Sequence, residues 1–150
     1  MEISPLEKAR RQAFRLLSLR ARSEKEIRDR LTANHGGEIT AEVIRQLQDE
    51  GFLNDEAFAR ERARQLAVSR LEGNRAIEAE LFRKGIDRPM ITGAIHAARE
   101  ELSEPEAIRK LLAKRGQPPA PPDRSWTQKT GRYLLSKGFS AGLIFEVLNE

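Results

Sequence analysis

The sequence contains no cysteine and few aromatic residues, and each of these shortages excludes a class of protein. Without cysteine the chain forms no disulfide, supplies no thiolate nucleophile and builds no cysteine-ligated zinc site. Aromatic residues make up 5% of the 150 residues, so platforms for stacking bases are few. No apolar run approaches the roughly 18 residues that a membrane-spanning helix needs, and Met1–Pro5 has no apolar signal segment. We therefore expect a cytoplasmic protein with no membrane segment.

Groups that carry catalysis or hold a metal are also scarce. The two histidines, His35 and His96, stand in no ligand pattern, and no glycine-rich phosphate loop is present. Acidic pairs such as 49–50 and 100–101 fall at helix ends, and their spacing does not bring two carboxylates together across a cleft. The sequence therefore predicts that the chain is not an enzyme and has no metal site and no cofactor.

What the chain has in excess is arginine. It contains 20 arginines and 7 lysines against 23 acidic residues, for a net charge of +4. Residues 105–150 hold eight basic and four acidic side chains, whereas the two signs nearly balance in the rest of the chain. The planar guanidinium donates two parallel hydrogen bonds to a carboxylate or a phosphate. The composition favours an acidic protein surface or a nucleic acid as partner, with an arginine-rich codon bias as the alternative explanation.

The spacing of apolar residues is helical along almost the whole chain. Leu6, Ala9, Ala13 and Leu16 recur at intervals of three and four, which places them on one face of a helix. Serines followed three residues later by Glu or Gln mark helix starts, and single glycines mark helix ends. The pattern predicts nine helices, at about 4–20, 23–34, 40–50, 54–70, 74–84, 87–101, 103–115, 124–137 and 140–149. No alternating run typical of a strand occurs, so the predicted fold class is all-α.

The predicted helices fall into three sets of three with a period of roughly 50 residues. Ile27 and Leu31 in the first set correspond to Ile77 and Leu81 in the second, and the ending 82–87 corresponds to 135–140 in the third. We expect tandem three-helix units at 1–52, 53–102 and 103–150, stacked into an elongated and curved array. Four of the seven prolines lie in 116–123, which we interpret as a stiff loop within the third unit, the alternative being a disordered linker.

Basic side chains on the predicted helix surfaces are the candidate binding residues for a partner protein or DNA. The last unit is the most basic, and the spacing there indicates a continuous basic stripe over the seventh and eighth helices. A solvated helix face is the alternative interpretation. The candidates are Arg22, Arg60, Arg64, Arg75, Lys84, Arg109, Lys110, Lys114, Arg115, Lys129, Arg132 and Lys137.

Several short motifs in a fixed order resemble those of one bacterial protein family. The segment 51–59, GFLNDEAFA, resembles the Gly-aromatic-Leu-Asp/Asn-Asp-x-x-Phe-Ala signature of the RecX family, whose members modulate the recombinase RecA. Further matches are RSEKEIR at 22–28, Ile77 with Glu80–Leu81 and Lys84–Ile86, AKRG at 113–116, and RYLLSKGFS at 132–140. The resemblance extends from about residue 8 to residue 148.

The resemblance implies a function as well as a fold. Members of this family are understood to lie in the helical groove of the RecA filament on DNA. There they usually suppress ATP hydrolysis, strand exchange and co-protease activity, which tempers homologous recombination, DNA repair and the SOS response. We therefore expect a monomer that binds the RecA–DNA filament and inhibits RecA. The alternatives are an autonomous module that binds single- or double-stranded DNA through its basic helices, and a purely structural helical scaffold.

Overall fold

The computed structural model describes residues 2–116 and 123–150, and this part of the chain contains nine helices and no strand. Residues 117–122 of the proline-rich loop lie outside the described residues. The helices are α1 (Pro5–Leu19), α2 (Glu24–His35), α3 (Gly37–Asp49), α4 (Asp55–Arg64), α5 (Asn74–Arg83), α6 (Arg88–Glu101), α7 (Glu104–Arg115), α8 (Arg124–Ser136) and α9 (Ala141–Leu148). A π-helical turn, Gln65–Ser69, continues α4. The all-α prediction is confirmed.

Seven of the nine described helices begin where the sequence places a side-chain hydrogen-bond acceptor for a free amide of the first turn. Ser23 and Glu26 form a reciprocal capping box at the start of α2, and Ser103 does the same with Glu106 at α7. The side chain of Asn54 accepts a hydrogen bond from the amide of Ala57 (3.0 Å) and so starts α4. Because these contacts span only three residues, the sequence alone sets these helix starts.

Three separate apolar cores, one for each set of three helices, hold the helices together. The first core packs α1, α2 and α3 around Ile27, Leu31 and Leu47. Its counterpart in the second unit includes Ile77 and Leu81. Complete burial of such side chains stabilises the fold by about 1.5–3 kcal/mol each. The predicted architecture of three three-helix units is therefore confirmed.

Residues in the connecting segments complete the neighbouring cores. Leu53 packs in the first core, and both Leu71 and Leu102 pack in the third core with Leu134 and Phe139. Leu71 is buried although its φ is +56°, a conformation that non-glycine residues seldom adopt. Burial of an apolar side chain in the third core offsets this backbone strain. The segments between units are thus fixed parts of the fold.

The units are joined in a row. The chain exposes 9404 Å² of accessible surface, whereas a compact globular protein of 17.0 kDa exposes about 7,700 Å². Contacts between α2 and the start of α4 join the first unit to the second. Hydrogen bonds between 73–75 and 137–138 join the second unit to the third. The accessible surface in excess of the value for a compact protein is that of an extended array of units.

Within the described residues, no helix combines the length and the apolar character needed to cross a bilayer.

The joint between the second and third units is a close contact of backbone with backbone. The amide of Gly73 donates to the carbonyl of Lys137 (2.8 Å), and the amide of Arg75 donates to the carbonyl of Gly138 (3.1 Å). A Cβ atom on Gly73 would lie 2.4 Å from the carbonyl carbon of Gly138, so only glycine fits there. Glu104 also accepts a hydrogen bond from the amide of Asn74 (3.0 Å). These bonds hold the third unit in a fixed position against the second.

Candidate interaction surface

Four of the candidate cations are engaged by carboxylates of the chain itself. Arg109 forms two hydrogen bonds with the carboxylate of Glu150, at 2.5 and 3.2 Å. Arg64 is held in the same two-pronged way by Glu101, with both bonds at 2.8 Å. Ion pairs join Lys84 to Glu26 (3.2 Å) and Arg60 to Glu56 (3.6 Å). A partner that bound any of these four cations would compete with an internal carboxylate.

Three further candidates bind backbone or aromatic groups. Arg22 Nε lies 3.4 Å from the carbonyl oxygen of Leu16, and Lys137 Nζ donates to the carbonyl of Arg70 (2.8 Å). The guanidinium of Arg115 lies over the ring of Tyr133, 4.2 Å from its centroid. Neither Lys137 nor Arg115 has a carboxylate partner in the described part of the chain, and the contacts above hold both side chains in place.

The side chains of the remaining five candidates are exposed and have no ion-pair or hydrogen-bond partner in residues 2–116 and 123–150. They are Arg75 on α5, Lys110 and Lys114 on α7, and Lys129 and Arg132 on α8. Four of the five belong to the third unit. Among the candidate cations, the third unit therefore carries the largest group without a partner in the described residues.

In the described residues, the acidic side chains of the third unit form no ion pair with these cations, and several of them serve as caps or bind Arg109. Glu106 accepts from the amide of Ser103 in the capping box of α7 (3.2 Å). Asp123 accepts from the amide of Trp126 (2.7 Å) and caps α8. Glu150 is paired with Arg109. The surplus of cations seen in the sequence of this unit is therefore also present on its surface.

A charged cluster between the first and second units was missed in the sequence analysis. Arg20 donates to the carboxylate of Glu26 at 2.6 Å, Lys84 binds the same carboxylate, and the amide of Ser23 donates to it at 3.1 Å. Burial raises the pKa of Glu26, but these three donors outweigh burial and lower its pKa to about 2. Lys84 and Glu26 lie 58 residues apart in the chain, a separation that no short sequence motif signals.

Two other polar groups at the joints also escaped sequence reasoning. Asp55, at the start of α4, accepts a hydrogen bond from the amide of Glu24 (2.8 Å), and its burial raises the pKa of the carboxyl. Arg99 donates to Asn74 and to the carbonyl of Glu72, both at 2.8 Å, and burial lowers the pKa of this guanidinium. Asp55 fixes the second unit against the first, and Arg99 fixes α6 against the segment that leads into α5.

Apolar side chains on the outer surface form a second kind of feature. Phe82, at 75% exposure, and Phe145, at 69%, lie in grooves between the second and third helices of their units. Leu135 borders the same groove as Phe145. The alignment of the repeats could have revealed the exposure of Phe82, because the first unit has a polar residue, Thr32, at the equivalent position. In the described residues, no cluster of three or more His, Asp or Glu has the arrangement of a metal site.

Comparison with family models covers most of the chain. Residues 9–47 match the model described as RecX, first three-helix domain. Residues 54–95 match the second three-helix domain of RecX, and residues 103–148 match the third. The three matches occur in the order in which the three units follow one another.

Curated relatives with the name regulatory protein RecX match nearly the full chain. The relative from Mycolicibacterium vanbaalenii is 32% identical over 150 residues, covering 95% of this chain and 81% of its own length. That from Corynebacterium efficiens is 34% identical over 148 residues, covering 94% and 70%. The relative from Oceanobacillus iheyensis is 32% identical over 147 residues, and the chain spans 54% of its length.

Solved structures show the same fold. A crystal structure of RecX from Lactobacillus salivarius superposes with a TM-score of 0.79 at 24% identity, covering 97% of this chain and 95% of that one. A crystal structure of a regulatory protein RecX superposes with a TM-score of 0.82 at 26% identity, covering 97% and 74%. The helical architecture, the three domain models and the relatives together show that this chain belongs to the RecX family of regulatory proteins.

Proposed function

We propose that the chain is a non-enzymatic regulator that binds the RecA filament on DNA along its helical groove. Binding there inhibits the ATPase, strand-exchange and co-protease activities of RecA. The three units, 1–52, 53–102 and 103–150, act as consecutive contact modules. Membership of the RecX family supports a regulatory role.

The observation that carries this proposal is the group of unpaired cations on an extended array. Lys110, Lys114, Lys129 and Arg132 are exposed in the third unit, with no partner in the described residues. Arg75 supplies a fifth such cation in the second unit. An array that contacts several subunits of a polymer gains affinity from many weak contacts, because each contact raises the effective concentration of the next. The exposed cations are suited to acidic filament surfaces and to the DNA phosphates inside the filament.

The DNA-dependent ATPase of RecA tests the proposal. Purified chain is added at micromolar concentration to RecA that has assembled on single-stranded DNA, and ATP hydrolysis and filament length are followed. We expect slower hydrolysis and shorter filaments. No change in either quantity at saturating protein would refute the proposal.

A charge-reversal variant tests which cations are used. Lys110→Glu with Lys114→Glu reverses two unpaired charges on α7, and we expect inhibition of RecA to be lost while helicity is retained. The matched control is Arg64→Glu with Arg60→Glu, which changes two arginines engaged by Glu101 and Glu56. Equal loss of inhibition in both double variants would show that the unpaired state of a cation does not matter.

Direct DNA binding is the second candidate function, and the surplus of positive charge in the third unit favours it. Four unpaired cations in contact with phosphates predict that log K falls with log salt with a slope of about −3 for single-stranded DNA. Binding is measured by fluorescence anisotropy across a salt series. If binding is undetectable at about 50 mM salt, the phosphate contacts are absent, because such contacts strengthen as salt falls.

A further inference from the structure

The joint between the first and second units is built differently from the joint between the second and third. We call these the first joint and the second joint. At the second joint, the amides of Gly73 and Arg75 donate hydrogen bonds to the carbonyls of Lys137 and Gly138. Among the residues that the structure describes, no hydrogen bond of backbone with backbone crosses the first joint. The first joint therefore depends on side chains.

Two hydrogen bonds cross the first joint in the described part of the chain, and each involves a charged side chain. Lys84 Nζ of the second unit lies 3.2 Å from the carboxylate of Glu26 in the first. The carboxylate of Asp55, at the start of α4, accepts a hydrogen bond from the amide of Glu24 on α2 (2.8 Å). Loss of these two contacts would leave the first joint without a hydrogen bond in the described residues.

Apolar packing is continuous across the second joint and interrupted at the first. Val68 packs against both the second core and the third, and Leu71 and Leu102 from the second unit are buried in the third core. In the described residues, the first and second cores have no residue in common. Units whose interface is polar and small move relative to each other, whereas a large apolar interface holds them together.

Two cavities lie between the first and second units. One, of ≈ 230 Å³, is lined by Arg20 of the first unit and by Phe58 and Lys84 of the second. The other, of ≈ 440 Å³, is lined by Gln48 of the first unit and Met90 of the second. The two units are thus not close-packed along their interface, and the first unit has space into which it can turn.

Like charges line the larger of these cavities. Burial raises the pKa of Asp55, and the carboxylates of Glu24 and Asp87 raise it further, against the opposing effect of the hydrogen bond from the amide of Glu24. Glu56 lines the same cavity. The contacts that close the first joint therefore act against a repulsion between carboxylates on its two sides.

The segment 51–59 supplies a pivot for movement at the first joint. Leu53 is buried in the first core, and Phe52 packs against the ring of Phe14 on α1 with 5.1 Å between the ring centroids. Phe58, five residues after Leu53, is buried in the second core. Asn54 lies between them as the cap of α4. Hinges are a few residues at the ends of helices or strands that absorb changes in φ and ψ.

We propose that the first joint is a hinge at Asn54, about which the first unit changes its angle to a rigid body formed by the second and third units. The contacts of Lys84 with Glu26 and of Asp55 with α2 hold the hinge closed. Opening it changes the curvature of the array. This inference concerns the free chain and goes beyond the function proposed above.

Distances between pairs of spin labels measure the movement in the whole chain. The chain has no cysteine, so two introduced cysteines are the only labelled positions. Ala41→Cys with Thr92→Cys spans the first joint, and Thr92→Cys with Gln128→Cys spans the second; all three residues are exposed and helical. By double electron–electron resonance, we expect the distance distribution across the first joint to be about twofold broader than that across the second. Equal widths would overturn the hinge.

Removal of the closing contacts gives the second arm of the experiment. Lys84→Met with Asp55→Ala is expected to broaden the distribution across the first joint further and to leave the second unchanged. The matched control, Arg64→Met with Glu150→Ala, removes two ion pairs that each lie within one unit, and it is expected to change neither distribution. An unchanged distribution across the first joint would overturn the inference. Equal broadening at both joints would do the same, because it would indicate a general loosening of the fold.

The design keeps the inference testable if the double variant loses its helices, which far-ultraviolet circular dichroism would show. The comparison of the two joints uses the wild-type contacts and decides the question by itself. Neither measurement involves RecA or DNA. Failure of the hinge is therefore distinguishable from failure of the proposed function, which the RecA ATPase assay tests.

Discussion

The joint between the second and third units gives the sharpest test of the fold. In Gly73→Ala the new Cβ atom would lie 2.4 Å from the carbonyl carbon and oxygen of Gly138 and 2.5 Å from the amide nitrogen of Phe139. These atoms belong to the backbone, so no side chain can rotate away. An ordinary contact needs at least 3.4 Å, and the two segments must therefore separate by about 1 Å.

The cost follows from the hydrogen bonds that cross the joint. A separation of about 1 Å takes the Gly73–Lys137 bond, now 2.8 Å, and the Arg75–Gly138 bond, now 3.1 Å, beyond hydrogen-bond distance. An unsatisfied buried backbone group costs about 1–3 kcal/mol, and Gly73 is buried. We expect Gly73→Ala to lower the free energy of unfolding by about 2–4 kcal/mol.

The matched control is the same chemical change at Gly93, inside α6. A Cβ atom there would have no neighbour within 4 Å. Alanine in a helix interior is favoured over glycine by about 0.5–1 kcal/mol, so Gly93→Ala is expected to stabilise the chain. The two variants differ only in position, and their effects should have opposite signs.

Urea unfolding followed by two probes separates the units. Circular dichroism reports all the helices, whereas the fluorescence of the single tryptophan, Trp126 in α8, reports the third unit. In Gly73→Ala we expect the fluorescence transition to occur at a lower urea concentration than in the wild type, and at a lower concentration than the dichroism transition of the same variant. Coincident transitions at the wild-type midpoint would refute the close-contact reasoning.

Two more substitutions test the core and the charged cluster. Leu81→Asp places a carboxylate in the second core, where Leu81 is fully buried; we expect a loss of about 4 kcal/mol or more, seen as lost helical dichroism. Unchanged dichroism would contradict the assignment of Leu81 to the core. For Glu26→Gln, the stabilisation by Glu26 is present above the unfolded pKa of 4.5 and is lost as pH falls toward its folded pKa of about 2. We expect the variant to be about 1–2 kcal/mol less stable at neutral pH, after solvent screening, and equal to the wild type below that folded pKa, as measured by urea unfolding across pH. A constant difference at every pH would refute the role of the charge.

The helix starts and the unit repeat were predictable because the interactions that produce them are local. The capping box of Ser23 with Glu26 spans three residues and is present as predicted. The predicted helix end at Gly85 also holds, and its φ of +80° explains the glycine. The start of the third helix was predicted at about residue 40, but α3 begins at Gly37 because Gly36 both ends α2 and precedes α3. The two adjacent glycines suggested a longer connection between the helices, but Gly36 alone separates α2 from α3.

Whether each candidate cation is paired with a carboxylate could not be predicted, because the pairing depends on residues far away in the chain. Arg109 and Lys110 are adjacent and equally charged in the sequence, yet Arg109 is bound to Glu150, 41 residues away, and Lys110 is unpaired within the described residues. Spacing along one helix places side chains on a face but does not show what the neighbouring helices bring to that face. The loop 116–123 stays a prediction at residues 117–122, which lie outside the description.

Sequence by itself determined the helices, most of their caps and the three-unit repeat, since contacts over three or four residues and a regular apolar spacing produce them. Tertiary structure alone decided the close contact at Gly73, the shared carboxylate of Glu26 and the exposure of Phe82 and Phe145. The physical reason is distance along the chain. Each of these features depends on how helices from different parts of the sequence pack together, and no local pattern encodes that packing.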